Sequence, residues 1–123
     1  MIWNCFCVGA GGFVGAVLRY IMSWIHISER TQFPLVTFII NVTGALVIGI
    51  VSQMAVKYGL GDSRWILFLK TGVCGGFTTF SAFALESSNL ISSGRAATAV
   101  CYMVCSVTTC LGAVFAGQMM VRA

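Results

Sequence analysis

The chain has 123 residues, of which 59% are hydrophobic and 8% charged, with seven basic and three acidic side chains and a net charge of +4. A water-facing domain covers its surface with about 25% charged residues, so this composition excludes a soluble globular fold. With its basic residues scattered, it also excludes a nucleic-acid partner. Each helical span uses about 20 apolar residues, which points to an all-α integral membrane protein, a single domain of four transmembrane helices, with no room in these 123 residues for a catalytic module.

The first span is expected at about residues 2–25. Its one charge, Arg19, lies near the far end, the reverse of a cleaved signal peptide, so a retained helix is expected. Gly11 with Gly15, and Gly12 with Ala16 one position on, have the spacing that lets helix backbones approach, either within the chain or across a dimer seam. After a polar loop, residues 26–32, Pro34 fits the first turn of a second span at about residues 33–56. That span carries Thr37 and Asn41 at i, i+4, then Gly44, and a small-residue pair, Ala45 and Gly49. In the loop 57–63, Gly61 and Asp62 fit a turn and an N-cap.

A third span is expected at about residues 65–89. It holds Gly75-Gly76 followed by the hydroxyls of Thr78, Thr79 and Ser81. Each glycine weakens a helix by about 1 kcal/mol relative to alanine, which predicts a helix broken mid-membrane. The loop 92–95 leads to a fourth span, about residues 96–121, where Thr98, Tyr102, Ser106 and Thr109 form a stripe of hydroxyls. The six cysteines lie in apolar stretches and read as small hydrophobes, with Cys101 and Cys105 on one helix face but no CxxC pair. Lys57, Arg64 and Arg122 fall on one side of the membrane, and Arg30 and Arg95 on the other with Arg19 towards it. Such a tie fits a chain that inserts both ways, and equally a misassigned loop.

Polar groups within a span are costly and mark a partner or a wet path. Glu86 is the one acid within a span; it shares a face with Thr79 and Phe83, and Phe83 shares another with Phe77 and Phe80. Neutral donors and the positive edges of phenyl rings suit a small anion. Hydroxyls also accept, so a cation or a neutral solute stays open on this argument. Carbonyls freed at a break would suit a cation. Lys70 and Arg19 either draw anions into a vestibule or snorkel to the headgroups. A Ser/His/Asp set, a metal-ligand spacing and a phosphate loop are all missing, so no enzyme is expected.

Three stretches resemble the signatures of the Fluc (CrcB) fluoride channels: residues 11–20 from Gly11 to Arg19-Tyr20, Asn41-Val42-Thr43-Gly44, and Gly75-Gly76-Phe77-Thr78-Thr79-Phe80-Ser81-Ala82-Phe83. The resemblance extends over the whole chain, and the third stretch is the most specific. It implies a passive fluoride channel of the bacterial inner membrane, an antiparallel dual-topology homodimer with two pores. It also implies a structural sodium ion held by the backbone carbonyls of Gly75 and Thr78. The implied fluoride pathway takes Phe80 and Phe83 by their ring edges, Asn41 as a donor, Ser81, Tyr102, Ser106 and Thr37 as a polar track, and Glu86 near a pore end, with Arg19 at the vestibule. One position departs: the family motif usually ends Thr-Phe-Ser-Thr-Phe, whereas Ala82 stands for the last Thr, which removes a hydroxyl beside the phenylalanines.

Two alternatives share the four-helix plan. A small multidrug-resistance-type proton-coupled exporter needs a carboxylate in its binding chamber, by family analogy in the first span, and residues 2–25 hold none. A non-transporting assembly subunit would use the glycine faces to bind partner helices and would pass no ion when purified.

Overall fold

The computed structural model describes residues 1–26 and 32–123. Among these, all regular structure is helical: α1 (Ile2–Met22), α2 (Leu35–Lys57), α3 (Arg64–Ile66), a π-helical stretch (Leu67–Cys74), α4 (Gly75–Phe77), α5 (Phe80–Ser92) and α6 (Ala96–Arg122). Four rods, Ile2–Met22, Leu35–Lys57, Arg64–Ser92 and Ala96–Arg122, are long and apolar enough to cross a membrane. The expected polar loop with Arg30 lies largely outside the described residues.

The helix ends follow local chemistry. Pro34 is the N-cap of α2, one position outside the helix instead of within its first turn. At the next start the cap is Ser63, not Asp62: Ser63 has extended backbone and its hydroxyl accepts the Ile66 N–H at 3.3 Å. Both α2 and α5 end on a glycine with positive φ, Gly59 at 65° and Gly94 at 79°. The residue after each glycine donates back over the last turn, Leu60 N–H to the Ala55 carbonyl and Arg95 N–H to the Leu90 carbonyl, both at 2.8 Å.

Two helix pairs build the bundle. α1 packs on the π-helical stretch and α4, while α2 packs on α6. Glycines set both seams: a Cβ on Gly11 would collide with the Phe68 carbonyl, one on Gly15 with the Val73 carbonyl, and one on Gly76 would lie 2.5 Å from the Gly12 carbonyl oxygen. The Gly11/Gly15 face is therefore spent inside the chain. On the other seam Gly49 lies against Val114 and Gly117 against Ile50.

Thr78 (φ −75°, ψ 156°) and Thr79 (φ −147°, ψ 115°) are extended. The glycines are not where the backbone leaves the helix: Gly75 has helical angles, and Gly75 and Gly76 both lie in α4. Past Thr79 the chain also changes neighbours, since α4 lies on α1 and α5 lies on α6.

Candidate functional site

The extended pair at Thr78–Thr79 is held by a side chain from another helix. The Asn41 amide accepts the Thr79 N–H at 2.8 Å and donates to the Thr79 carbonyl at 3.1 Å. Two donors are thereby taken out of the helical ladder. Thr79 N–H would otherwise serve the Gly75 carbonyl, and Ala82 N–H, which would serve the Thr78 carbonyl, goes to the Thr79 hydroxyl at 3.1 Å. The Gly76 carbonyl takes a substitute donor, Arg19 Nε at 3.1 Å. Thr78 turns its hydroxyl back to the Cys74 carbonyl at 2.8 Å, and its methyl group fills the gap that Gly44 leaves.

A second cluster gathers around Glu86. Thr37 donates to Oε1 at 2.6 Å and the Tyr102 hydroxyl to Oε2 at 2.7 Å. Three helices thus meet at one carboxylate, and Tyr102 is fully buried. Both bonds fall at the short end of the O–H···O range.

Aromatic rings connect this cluster to the flank of the molecule. Phe80 and Phe83 have centroids 5.5 Å apart, and Phe83 and Tyr102 5.2 Å apart. Phe80 is 79% exposed, so this chain alone does not hold its ring. It borders a groove of about 440 Å³ between α2, α5 and α6, lined by Asn41, Ala45, Ile48, Thr79, Phe83, Ser106 and Leu111 among others. Ser106 is 5% exposed, and its hydroxyl has no hydrogen-bond partner among the described residues. That is an unusual state for a helical serine, which can bond the i−4 carbonyl.

The family pattern described as CrcB-like protein, Camphor Resistance (CrcB), matches residues 6–118. The chain belongs to the CrcB-like family. It is similar to proteins named fluoride-specific ion channel FluC. That of Ruminiclostridium cellulolyticum is 42% identical over 120 residues, 97% of this chain and 92% of the other. That of Nitrobacter winogradskyi is 43% identical, covering 94% and 92%, and that of Azobacteroides pseudotrichonymphae 37%, covering 98% and 97%.

Within this CrcB-like chain the residues singled out in the sequence fall into three places. Asn41, Thr78 and Thr79 form the extended segment and its clamp; Thr37, Glu86 and Tyr102 form the acid cluster; and Phe80, Phe83 and Ser106 line the groove. Ser81 is exposed at the start of α5, with its hydroxyl 3.4 Å from that of Thr79. Arg19 is half-buried and tied to Gly76, and Lys70 is exposed. The hydroxyl stripe is shorter than expected: Tyr102 and Ser106 are buried and Thr98 half-buried, but Thr109 is exposed. Cys101 and Cys105 do share a face, with sulfurs 3.9 Å apart.

The pair Phe33 and Phe38 escaped the sequence reading, although both pack against the buried cluster of Leu90, Ala99 and Tyr102. A signal was there. They flank the α2 cap at the spacing of a hydrophobic staple, one residue before the cap and four into the helix, and their rings meet edge-on at 5.6 Å.

Proposed function

We propose that this chain is a passive fluoride channel of the bacterial inner membrane, working as a pair of copies in opposite orientations with two pores. The observation that carries the reading is the Ser106 hydroxyl, buried and unpartnered on a wall shared with Phe80, Phe83 and Asn41. A buried donor without an acceptor costs about 1–3 kcal/mol, and a small anion in the groove would accept it. The ring edges of Phe80 and Phe83 add positive partial charge. Asn41 commits one amide hydrogen to Thr79 and has a second to offer. The named relatives supply the identity of the anion.

The ion path in this reading runs from the groove past Ser106 to Tyr102 and Thr37. These hydroxyls can turn from Glu86 to an arriving anion and back, exchanging one acceptor for another. The second copy covers the groove and completes the enclosure of Phe80. At membrane depth the third helix is interrupted at Thr78–Thr79. The carbonyls left without their helical donors, Gly75 and Thr78, suit a sodium ion, and Gly75 lies on an open face. Bound there, sodium would supply the positive charge that those carbonyls lack as partners, while Asn41 and Arg19 keep the adjoining carbonyls occupied.

The test is ion flux. Purified protein in liposomes is expected to dissipate a fluoride gradient without a pH gradient and to leave a chloride gradient intact. Flux that requires a proton gradient, or none at all, overturns the reading.

A further inference from the structure

Phe33 stands between the acid cluster and one end of the bundle. From Glu86 to Ser92, where α5 ends, and from Ala96, where α6 begins, to Tyr102, the rise is about 9 Å at ~1.5 Å per residue. Thr37 is one turn into α2. The cluster is therefore recessed by a little under two turns from the α5–α6 end, and Phe33, just ahead of the α2 cap, lies at that end against Tyr102. Its ring meets Tyr102 edge-on, with centroids 5.2 Å apart and planes at 81°. It packs with the buried Leu90, Ala99 and Tyr102, and its outer side, together with Thr98 and Ala97, lines a surface concavity. Arg95, exposed at the start of α6, adds a positive charge at this end.

Phe33 also completes a series. Centroid spacings of 5.5, 5.2 and 5.2 Å link Phe80, Phe83, Tyr102 and Phe33 from the groove to the bundle end. The first two belong to the ion path in the reading above. We propose that Phe33 is the outer restriction of the same path, the ring an anion must pass between the Thr37–Glu86–Tyr102 cluster and water. This rests on the channel reading and adds to it a residue that sets throughput. The mechanism is steric and dielectric: the ring keeps water from the recess, so the ion stays dehydrated until it has passed Phe33.

A size series tests it. Phe33→Trp, Phe33→Leu and Phe33→Ala are purified, checked for an assembled species by gel filtration, and compared with the unaltered protein in fluoride efflux from liposomes. The expected order of initial rates follows ring size inversely: Trp slowest, then Phe, then Leu, with Ala fastest by several-fold. A ring needed only for packing would give rates that fall at both Leu and Ala, and that result overturns the proposal, as does a flat series. Leu retains apolar volume, so it remains informative where Ala fails to assemble; failure of both to assemble also overturns the proposal. A silent unaltered protein would instead sink the channel reading itself.

Discussion

Asn41 shows how much a single side chain does in this fold. Its carboxamide is the one group in the cleft that donates and accepts in the same plane, and it uses both functions on Thr79. Replacing it with aspartate keeps the shape and the acceptor but sets a second oxygen against the Thr79 carbonyl. Leaving that carbonyl without its donor costs about 1–3 kcal/mol, before any repulsion between oxygens. Asn41→Asp is therefore expected to lower the melting temperature in detergent and to abolish fluoride efflux, and unchanged melting would mean that the clamp does not hold the segment. Glu86 calls for a different substitution. Glu86→Gln keeps one acceptor for Thr37 or Tyr102, whereas Glu86→Ala strands the hydroxyl of a fully buried tyrosine. Alanine is expected to destabilise by about 1–3 kcal/mol and glutamine by clearly less, as read by denaturation of the two variants side by side.

Between the helices, the glycines act through contact and not through weak propensity. Gly11, Gly15 and Gly76 put bare backbone against a neighbouring rod, whereas a Cβ on Gly9 would meet nothing within 4 Å. Gly15→Ala is thus expected to cost about 1–3 kcal/mol by overpacking, while Gly9→Ala leaves stability unchanged or raises it by up to ~1 kcal/mol; thermal melting of the pair separates the two. The same contrast marks what could be read in advance. The four apolar rods follow from composition, because ten charges among 123 residues leave hydropathy as the dominant signal. The place where the third rod leaves helical geometry does not. Propensity pointed to Gly75 and Gly76, yet both stay helical, Gly76 packed on Gly12 of α1, and Thr78 and Thr79 depart instead because Asn41, 38 positions away, captures Thr79. A tertiary bond of that kind leaves no local trace. Thr37, Glu86 and Tyr102 were each visible as costly polar groups, but their meeting at one carboxylate required the packing of three helices.

For the whole molecule, the outstanding feature is a flank that one copy leaves unfinished. Ala45, Ile48, Leu111 and a 79% exposed Phe80 border a groove whose buried Ser106 has no hydrogen-bond partner among the described residues. Lipid would cover the apolar atoms but give that hydroxyl nothing, whereas the second copy in the proposed channel would enclose a wet path there. If the copies oppose each other, both orientations must insert. Lys57 donates to the Val121 carbonyl at 2.8 Å, so the end of α2 lies with the end of α6 and Arg122, and the α5–α6 turn with Arg95 lies at the other end. The near-even division of basic residues then leaves orientation easily tipped, because loop Lys and Arg counts set it. Asp62→Lys adds a positive charge at one end and Ser92→Lys at the other, both at exposed positions. Each variant expressed alone is expected to insert in one direction and lose fluoride export, since it makes only parallel neighbours. Expressed together, the two should restore export, because each supplies the orientation the other lacks. Full export from either variant alone would show that the working unit does not need opposed copies.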